Sequence, residues 1–343
     1  MPENPAPEEQ PPVRRRRRWP RRVLLLALLV LATAAAAGVW LQREVRRPGP
    51  HDEDRIVLIE KGSGVATIAG ELAAAGTIRE PWLFRSWVRL TGQERGLHAG
   101  EYRIPAGASL AAQARMLATG LGQVEHQLTV PEGLTSQEIV VLLRDEPLLT
   151  GEIAQVPPEG SLLPETYNFL RGESRAEKLA RMRAAMQATL DELWPERAAN
   201  LPFDTREDAL VLASIVEKET GVPEERRHVA GVFVNRLRQG MALQSDPTVI
   251  YAITHGSGAL GRRLLRKDLQ IDSPYNTYRH PGLPPGPIAN PGRAAIAAVL
   301  DPLATKDLYF VADGTGGHVF AETLAEHNRN VARWRKIRDG GTD

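Results

Sequence analysis

The sequence predicts an α+β protein with a single N-terminal transmembrane helix, a small α+β module and then a larger α+β domain. Three observations carry this. Nineteen uncharged residues run together near the N-terminus. Short units then pass from a strand pattern through a glycine turn into a helix pattern. Finally, a nearly all-apolar helix pattern precedes a Pro/Gly-rich stretch and a hairpin.

The uncharged run is Val23–Leu41, VLLLALLVLATAAAAGVWL. At 1.5 Å per residue it just crosses a hydrocarbon core of about 30 Å. Residues 1–22 hold seven arginines against three glutamates, so this tail is expected on the cytoplasmic side and the remainder outside. The rival reading is a cleaved signal peptide, with Ala34-Ala35-Ala36 as the small-residue site. The long charged tail and the apolar continuation to Leu41 favour an uncleaved anchor in the inner (cytoplasmic) membrane. Residues 42–54, QREVRRPGPHDED, read as a solvated linker.

Residues 55–125 read as the small module. VLIEKGSGVATIAGEL (57–72) and EYRIPAGASLAAQARML (101–117) each suggest strand, turn and helix, with an amphipathic helix Trp82–Leu90 between them, ended by Gly92. Residues 126–343 read as the larger domain. It opens with a third such unit at 127–143, where Thr135 and Glu138 form a capping-box pattern, and continues with one long helix, Glu173–Leu193.

Composition removes several functions. There is no cysteine, which excludes disulfides, Cys-bound metals and thiol nucleophiles. Residues 42–343 carry 36 basic and 39 acidic side chains, which argues against a nucleic-acid partner. His318, Glu322 and His327 lack zinc-protease spacing, so no metal and no cofactor are expected, and His318 reads as a strand residue.

The chemistry concentrates in 208–220, DALVLASIVEKET. From Ala209 to Val216 only Ser214 is polar, so this helix is buried all round. Glu217 and Glu219 stand in its last turn, where the helix dipole and apolar neighbours both disfavour an ionised carboxylate. A carboxylic acid kept neutral in this way can serve as a general acid. Residues i and i+2 point about 200° apart on a helix, so only one of the two faces a given cleft. Glu219 stacks over Ile215 and Val216 and is the expected acid; Glu217 is then outward or structural.

The next helix, Pro223–Leu237, ends at Gly240. Beyond it, LQSDPTVIYAI (243–253) supplies Gln244, Asp246 and Tyr251, and SPYNTYRHPGLPPGPIANPG (273–292) supplies Asn276 and Tyr278. Aromatic rings beside amides and a carboxylate suit a sugar, and these five are the expected substrate-binding residues. Eight of residues 281–292 are Pro or Gly; a loop this stiff loses little entropy on ordering and can form a preset wall. LYFVAD (308–313) and HVFAET (318–323) read as a hairpin joined through 314–317.

ASIVEKET (213–220), VFVNRLRQGMALQSDPTVIY (232–251), the 273–292 stretch and LYFVADGTGGHVFAETLAEHN (308–328) resemble the YceG-like family of endolytic murein transglycosylases. The likeness is strong over about 200–335 and weaker over 55–170, where LLPETY (162–167) also takes part. It implies a lyase that cuts the MurNAc–GlcNAc bond within nascent peptidoglycan glycan strands. One glutamate protonates the leaving oxygen, and the muramyl C6 hydroxyl closes on C1 to leave a 1,6-anhydro end. Several lytic transglycosylase families carry their acid just before a serine; here Glu219 precedes Thr220. Residues 55–125 resemble LysM carbohydrate-binding modules, and 126–343 is the implied catalytic domain. The partners expected are glycan strands, the membrane and peptidoglycan synthases of the penicillin-binding type. Two alternatives compete: a hydrolytic muramidase, with Asp246 as its second carboxylate, and a non-catalytic peptidoglycan-binding scaffold for synthases.

Overall fold

The computed structural model describes residues 21–340; the arginine run 14–18 lies outside the described residues. The chain divides between Val124 and Glu125 into two units.

The first unit begins with helix α1, Arg21–Arg46, whose segment Val23–Arg46 is long and apolar enough to cross a membrane. β1 (Arg55–Ile59), α2 (Val65–Ala74), α3 (Pro81–Leu90), β2 (Gly100–Ile104) and α4 (Leu110–Thr119) follow. β1 and β2 pair antiparallel, Arg55 opposite Ile104 and Ile59 opposite Gly100. Their inward residues Val57, Ile59, Tyr102 and Ile104 close on Leu72, Phe84 and Leu117, the alternation that a half-buried strand requires.

The solvated linker expected over 42–54 is corrected in part. Residues 42–46 continue α1, and Val45 is fully buried in the core of this unit, with Leu41 packed against it. His51 is also buried, its Nε2 2.8 Å from the Pro105 carbonyl. The apolar spacing of Leu41 and Val45, one turn apart, outweighs the charges around them.

The second unit holds β3 (Glu125–Thr129), α5 (Ser136–Asp145), β4 (Thr166–Leu170), α6 (Arg175–Leu193), α7 (Arg206–Glu219), α8 (Arg226–Arg238), α9 (Asp246–Thr254), α10 (Arg293–Leu300), β5 (Tyr309–Ala312), β6 (His318–Ala321) and α11 (Leu324–Gly340). β3 and β4 pair antiparallel and lay Leu128, Tyr167 and Phe169 on α5 and α6. Both helices start with full capping boxes, Thr135/Glu138 and Ser174/Glu177.

Residues 145–200 hold β4 as well as the expected long helix, which begins at Arg175 rather than Glu173. The strand is legible afterwards as the alternation of buried Tyr167 and Phe169 about exposed Asn168. Residues 223–225 form a 3₁₀ turn, so α8 starts three residues later than expected. The segment 246–254 folds as a helix, with Pro247 in its first turn.

The core around the chemistry is built on α7. Its residues Ala209 and Val211–Val216 are buried against α8, α10 and Phe233. Ser214, the single polar residue of that run, donates to the Val211 carbonyl (2.7 Å) and accepts the Ile288 N–H (3.0 Å). The hydroxyl therefore pins the Pro/Gly-rich loop to the helix. Gly292 is pinned likewise, its N–H donating to Glu217 Oε2 at 2.9 Å.

Candidate active site

Glu219 is the last residue of α7, and Thr220 behind it leaves the helix in extended conformation. Its carboxyl accepts the Ser245 hydroxyl at 2.5 Å on Oε1. Ser245 arrives there on a sharp turn. Gln244 sits in the left-handed region at φ 51°, uncommon for a residue with a side chain, and donates its N–H to the Thr277 carbonyl at 3.1 Å. The Ser245 N–H then donates to Thr277 Oγ1 at 3.0 Å, and Thr248 hydrogen-bonds both the Ser245 carbonyl and Thr277 Oγ1. All three are buried, so the serine is held from three sides.

Burial pushes the Glu219 carboxyl up to about 7. The Ser245 hydrogen bond opposes this, the Asp246 charge adds to it, and His318 and Arg236 draw it back down. A carboxyl in this range still carries its proton in part of the population at neutral pH. Because Ser245 donates to Oε1, a proton on this carboxyl belongs on Oε2.

Glu217 takes the other side of the helix. Its side chain is only 5% exposed, 3.8 Å from an Arg226 nitrogen and bonded to the Gly292 N–H. Burial raises its pKa too, offset first by that N–H. It ties the loop to the helix. The 200° divergence of the two carboxylates is thus realised as two separate networks.

The five expected substrate-binding residues separate. Asp246 opens α9 with an exposed side chain and accepts the Tyr278 hydroxyl at 2.7 Å. Gln244 exposes its side chain beside Ser245. Burial raises the Tyr278 phenol strongly, as do its bond to Asp246 and the Glu219 charge. Asp246 and Tyr278 stand about Glu219, and Gln244 precedes the serine that bonds it.

Asn276 does not, and its assignment is corrected. It is fully buried, its amide donates to the Leu269 and Ile271 carbonyls, and its Oδ1 accepts the Tyr278 N–H. With its groups satisfied by backbone, it shapes the turn that carries Tyr278. Tyr251 also lies elsewhere. Its ring packs on Tyr275 with centroids 4.9 Å apart, and its phenol pairs with Glu159.

Several groups near Glu219 escape sequence reading. His318 is a strand residue, as expected, yet its charge reaches Glu219; Glu225 holds its Nδ1 at 2.7 Å and accepts its N–H at 2.8 Å. Arg236 is buried, donating to the Leu308 and Leu243 carbonyls, and lies 5.5 Å over the Tyr309 ring. A signal for Arg236 exists in its spacing, four after Val232 and three after Phe233, which places it on the buried face of α8. Nothing local marks Glu225 or His318. Among the described residues no three His, Asp or Glu come together as a metal site.

Removal of the Ser245 hydroxyl tests this geometry. In Ser245→Ala the carboxyl loses a donor that favours its charged form, so the alkaline limb of the pH–rate profile moves to higher pH. Misplacement of the acid lowers the maximal rate about 10- to 100-fold. An unshifted limb would show that Ser245 does not act on Glu219.

A carboxyl raised by burial to about 7 at the end of a buried helix, with Asp246 and Tyr278 beside it, is an arrangement able to give up a proton near neutral pH. The chain belongs to the YceG-like family, whose model matches residues 57–333. It is 33% identical over 301 residues to a protein of Bacillus subtilis named endolytic murein transglycosylase, covering 79% of this chain and 82% of that one. A Streptococcus pneumoniae protein of the same name is 31% identical over 323 residues, covering 80% of this chain; the match spans 57% of that longer relative. A crystal structure of a yceG-like protein from Listeria monocytogenes superposes with a TM-score of 0.50 at 30% identity, covering 81% of this chain and 99% of that one.

Proposed function

We propose that this chain is a membrane-anchored lyase that cuts peptidoglycan glycan strands endolytically. The bond cleaved is MurNAc–GlcNAc, the new ends are 1,6-anhydro, and the consequence is a limit on strand elongation. The observation that carries this reading is Glu219, a carboxyl buried enough to keep its proton near neutral pH and oriented by one serine. The names of the relatives support the same substrate.

In the reaction Oε2 of Glu219 gives its proton to the bridging oxygen as the C1–O bond breaks. The carboxylate left behind faces the positive charge developing at C1. It then takes the proton of the C6 hydroxyl as that oxygen bonds to C1, which returns the acid to its starting state. No water is consumed, and no second carboxylate is needed, unlike the two-carboxylate hydrolases. Gln244, Asp246 and Tyr278 would hold sugar hydroxyls and ring faces. Arg236 and His318 keep the transient carboxylate from rising too far in energy.

The arginine-rich tail would hold the N-terminus in the cytoplasm and α1 in the inner membrane, which places the rest of the first unit and the second unit outside. The first unit, with its two short strands and its helices, would hold glycan in the manner of a LysM module. Peptidoglycan synthases are the partners this topology makes available.

The test is product mass. The full chain in detergent, given uncrosslinked glycan, should release fragments one water lighter than those of hydrolysis. Fragments bearing the added water would replace this mechanism with a muramidase using Asp246. Binding without any fragments would leave a scaffold.

A further inference from the structure

α1 does not end where its apolar run ends. It continues unbroken to Arg46, and Leu41 and Val45 pack into the core of the first unit. No flexible spacer intervenes, so the depth of the helix in a bilayer sets the height of the module. Val23–Leu41 spans about 28 Å at 1.5 Å per residue, close to a hydrocarbon core of about 30 Å. Trp40 therefore falls at the far boundary. Its indole stacks on that of Trp82 from α3, with centroids 6.4 Å apart and planes within 10°, which carries Trp82 to the same level.

Both indoles are open, Trp40 53% and Trp82 48% exposed. In water that is an unfavourable apolar patch; at a headgroup boundary it is where tryptophan is most at home. Along α3, residues Trp82, Arg85, Ser86 and Arg89 share one face at i, i+3, i+4 and i+7, and the tryptophan and both arginines are exposed. A groove of about 530 Å³ opens beside this stripe, lined by Arg85, Ser86, Arg89 and Glu94 together with the apolar Val65, Ala66 and Leu90. Arg43 and Arg46 stand in the last turn of α1. Two neighbouring carboxylates share the charge: Glu94 pairs with Arg89 at 3.1 Å, and Glu44 lies 3.6 Å from Arg47.

We propose that the first unit rests on the bilayer surface where α1 emerges, with the Trp82–Arg85–Ser86–Arg89 stripe of α3 seated among anionic lipid headgroups. The inference rests on the anchor reading above. Phosphates meet the guanidinium groups, and the indole pair fills the layer beneath them.

The chain lacks cysteine, so Ser86→Cys gives one labelling site that leaves Trp82 and both arginines intact. The full chain carrying an environment-sensitive fluorophore there is reconstituted into vesicles of phosphatidylglycerol and phosphatidylethanolamine with a headgroup-depth spin-labelled lipid. Thr119→Cys is the reference, at the opposite end of α4 from Leu110, which lies near the end of α1. Quenching at 86 should exceed that at 119 several-fold. It should fall by at least half in pure phosphatidylcholine or when Arg85→Gln and Arg89→Gln are added. Equal quenching at 86 and 119 in protein that floats with the vesicles overturns the proposal while leaving the anchor intact. Undiminished quenching in phosphatidylcholine overturns the anionic headgroup as the ligand. Protein that does not float with vesicles fails the anchor reading and takes the proposal with it.

Discussion

Glu219→Gln should abolish strand cleavage and at the same time stabilise the fold in alkaline solution. The amide has no proton to give, so the rate falls about 10²- to 10⁴-fold or more, the usual share of a general acid. The stability effect follows from linkage. The Glu219 carboxyl rises from its ordinary 4.5 to about 7 in the folded chain. Below pH 4.5 it is neutral in both folded and unfolded states, and the variant should match the parent. Between 4.5 and 7 the unfolded chain ionises first, so the parent loses stability as pH rises; above 7 the loss levels off at about 3 kcal/mol. Gln has no such loss. Thermal unfolding at pH 4 and pH 8 checks this: the variant should gain on the parent only at the higher pH. Equal melting at both would mean that position 219 is charged and solvated, and the acid must be sought elsewhere. The activity of the parent should decline as pH rises through about 7, as the proton leaves.

Asn290→Ala should cost about 3–4 kcal/mol of stability in the second unit. This side chain is fully buried. Its amide donates to the Leu134 carbonyl, the Ser136 hydroxyl and Glu159, and its Oδ1 accepts the Leu162 N–H at 3.0 Å. Alanine leaves that N–H buried and unpaired, and strips a donor from Glu159, a carboxyl that burial already raises. Losing the donor raises it further, so the deficit should grow as pH rises. Urea unfolding with an unchanged slope and a lowered midpoint is the expected result. A deficit below about 1 kcal/mol would mean that the loop 281–292 is held by its prolines, by Ser214 and Glu217 and by the backbone bonds of residue 290 to Gly133 and Leu134.

Much of the fold was legible because its signals are local. Thr135 with Glu138 announced a helix start, Gly314–Gly317 a hairpin turn, and Ala209–Val216 a buried helix, each within one or two turns of chain. The same logic placed Glu219 at a helix end beside apolar neighbours. It failed for Asn276, whose amide suits a sugar hydroxyl as well as it suits two backbone carbonyls. Composition could not tell which partner was nearer. It failed for the linker, where a one-turn spacing of Leu41 and Val45 was hidden among charges.

The sequence alone determined the membrane-length helix, the buried helix that ends in Glu219, and the divergence of Glu217 from Glu219, since periodicity and helix geometry suffice for all three. Only the tertiary structure decided that Ser245, 26 residues on, supplies the hydrogen bond, and that Glu225 orients His318 across 93 residues. Such pairs are chosen by which surfaces bury one another in the finished core. A carboxyl's proton affinity depends on that burial and on charges brought from distant segments, neither of which any short stretch of chain contains.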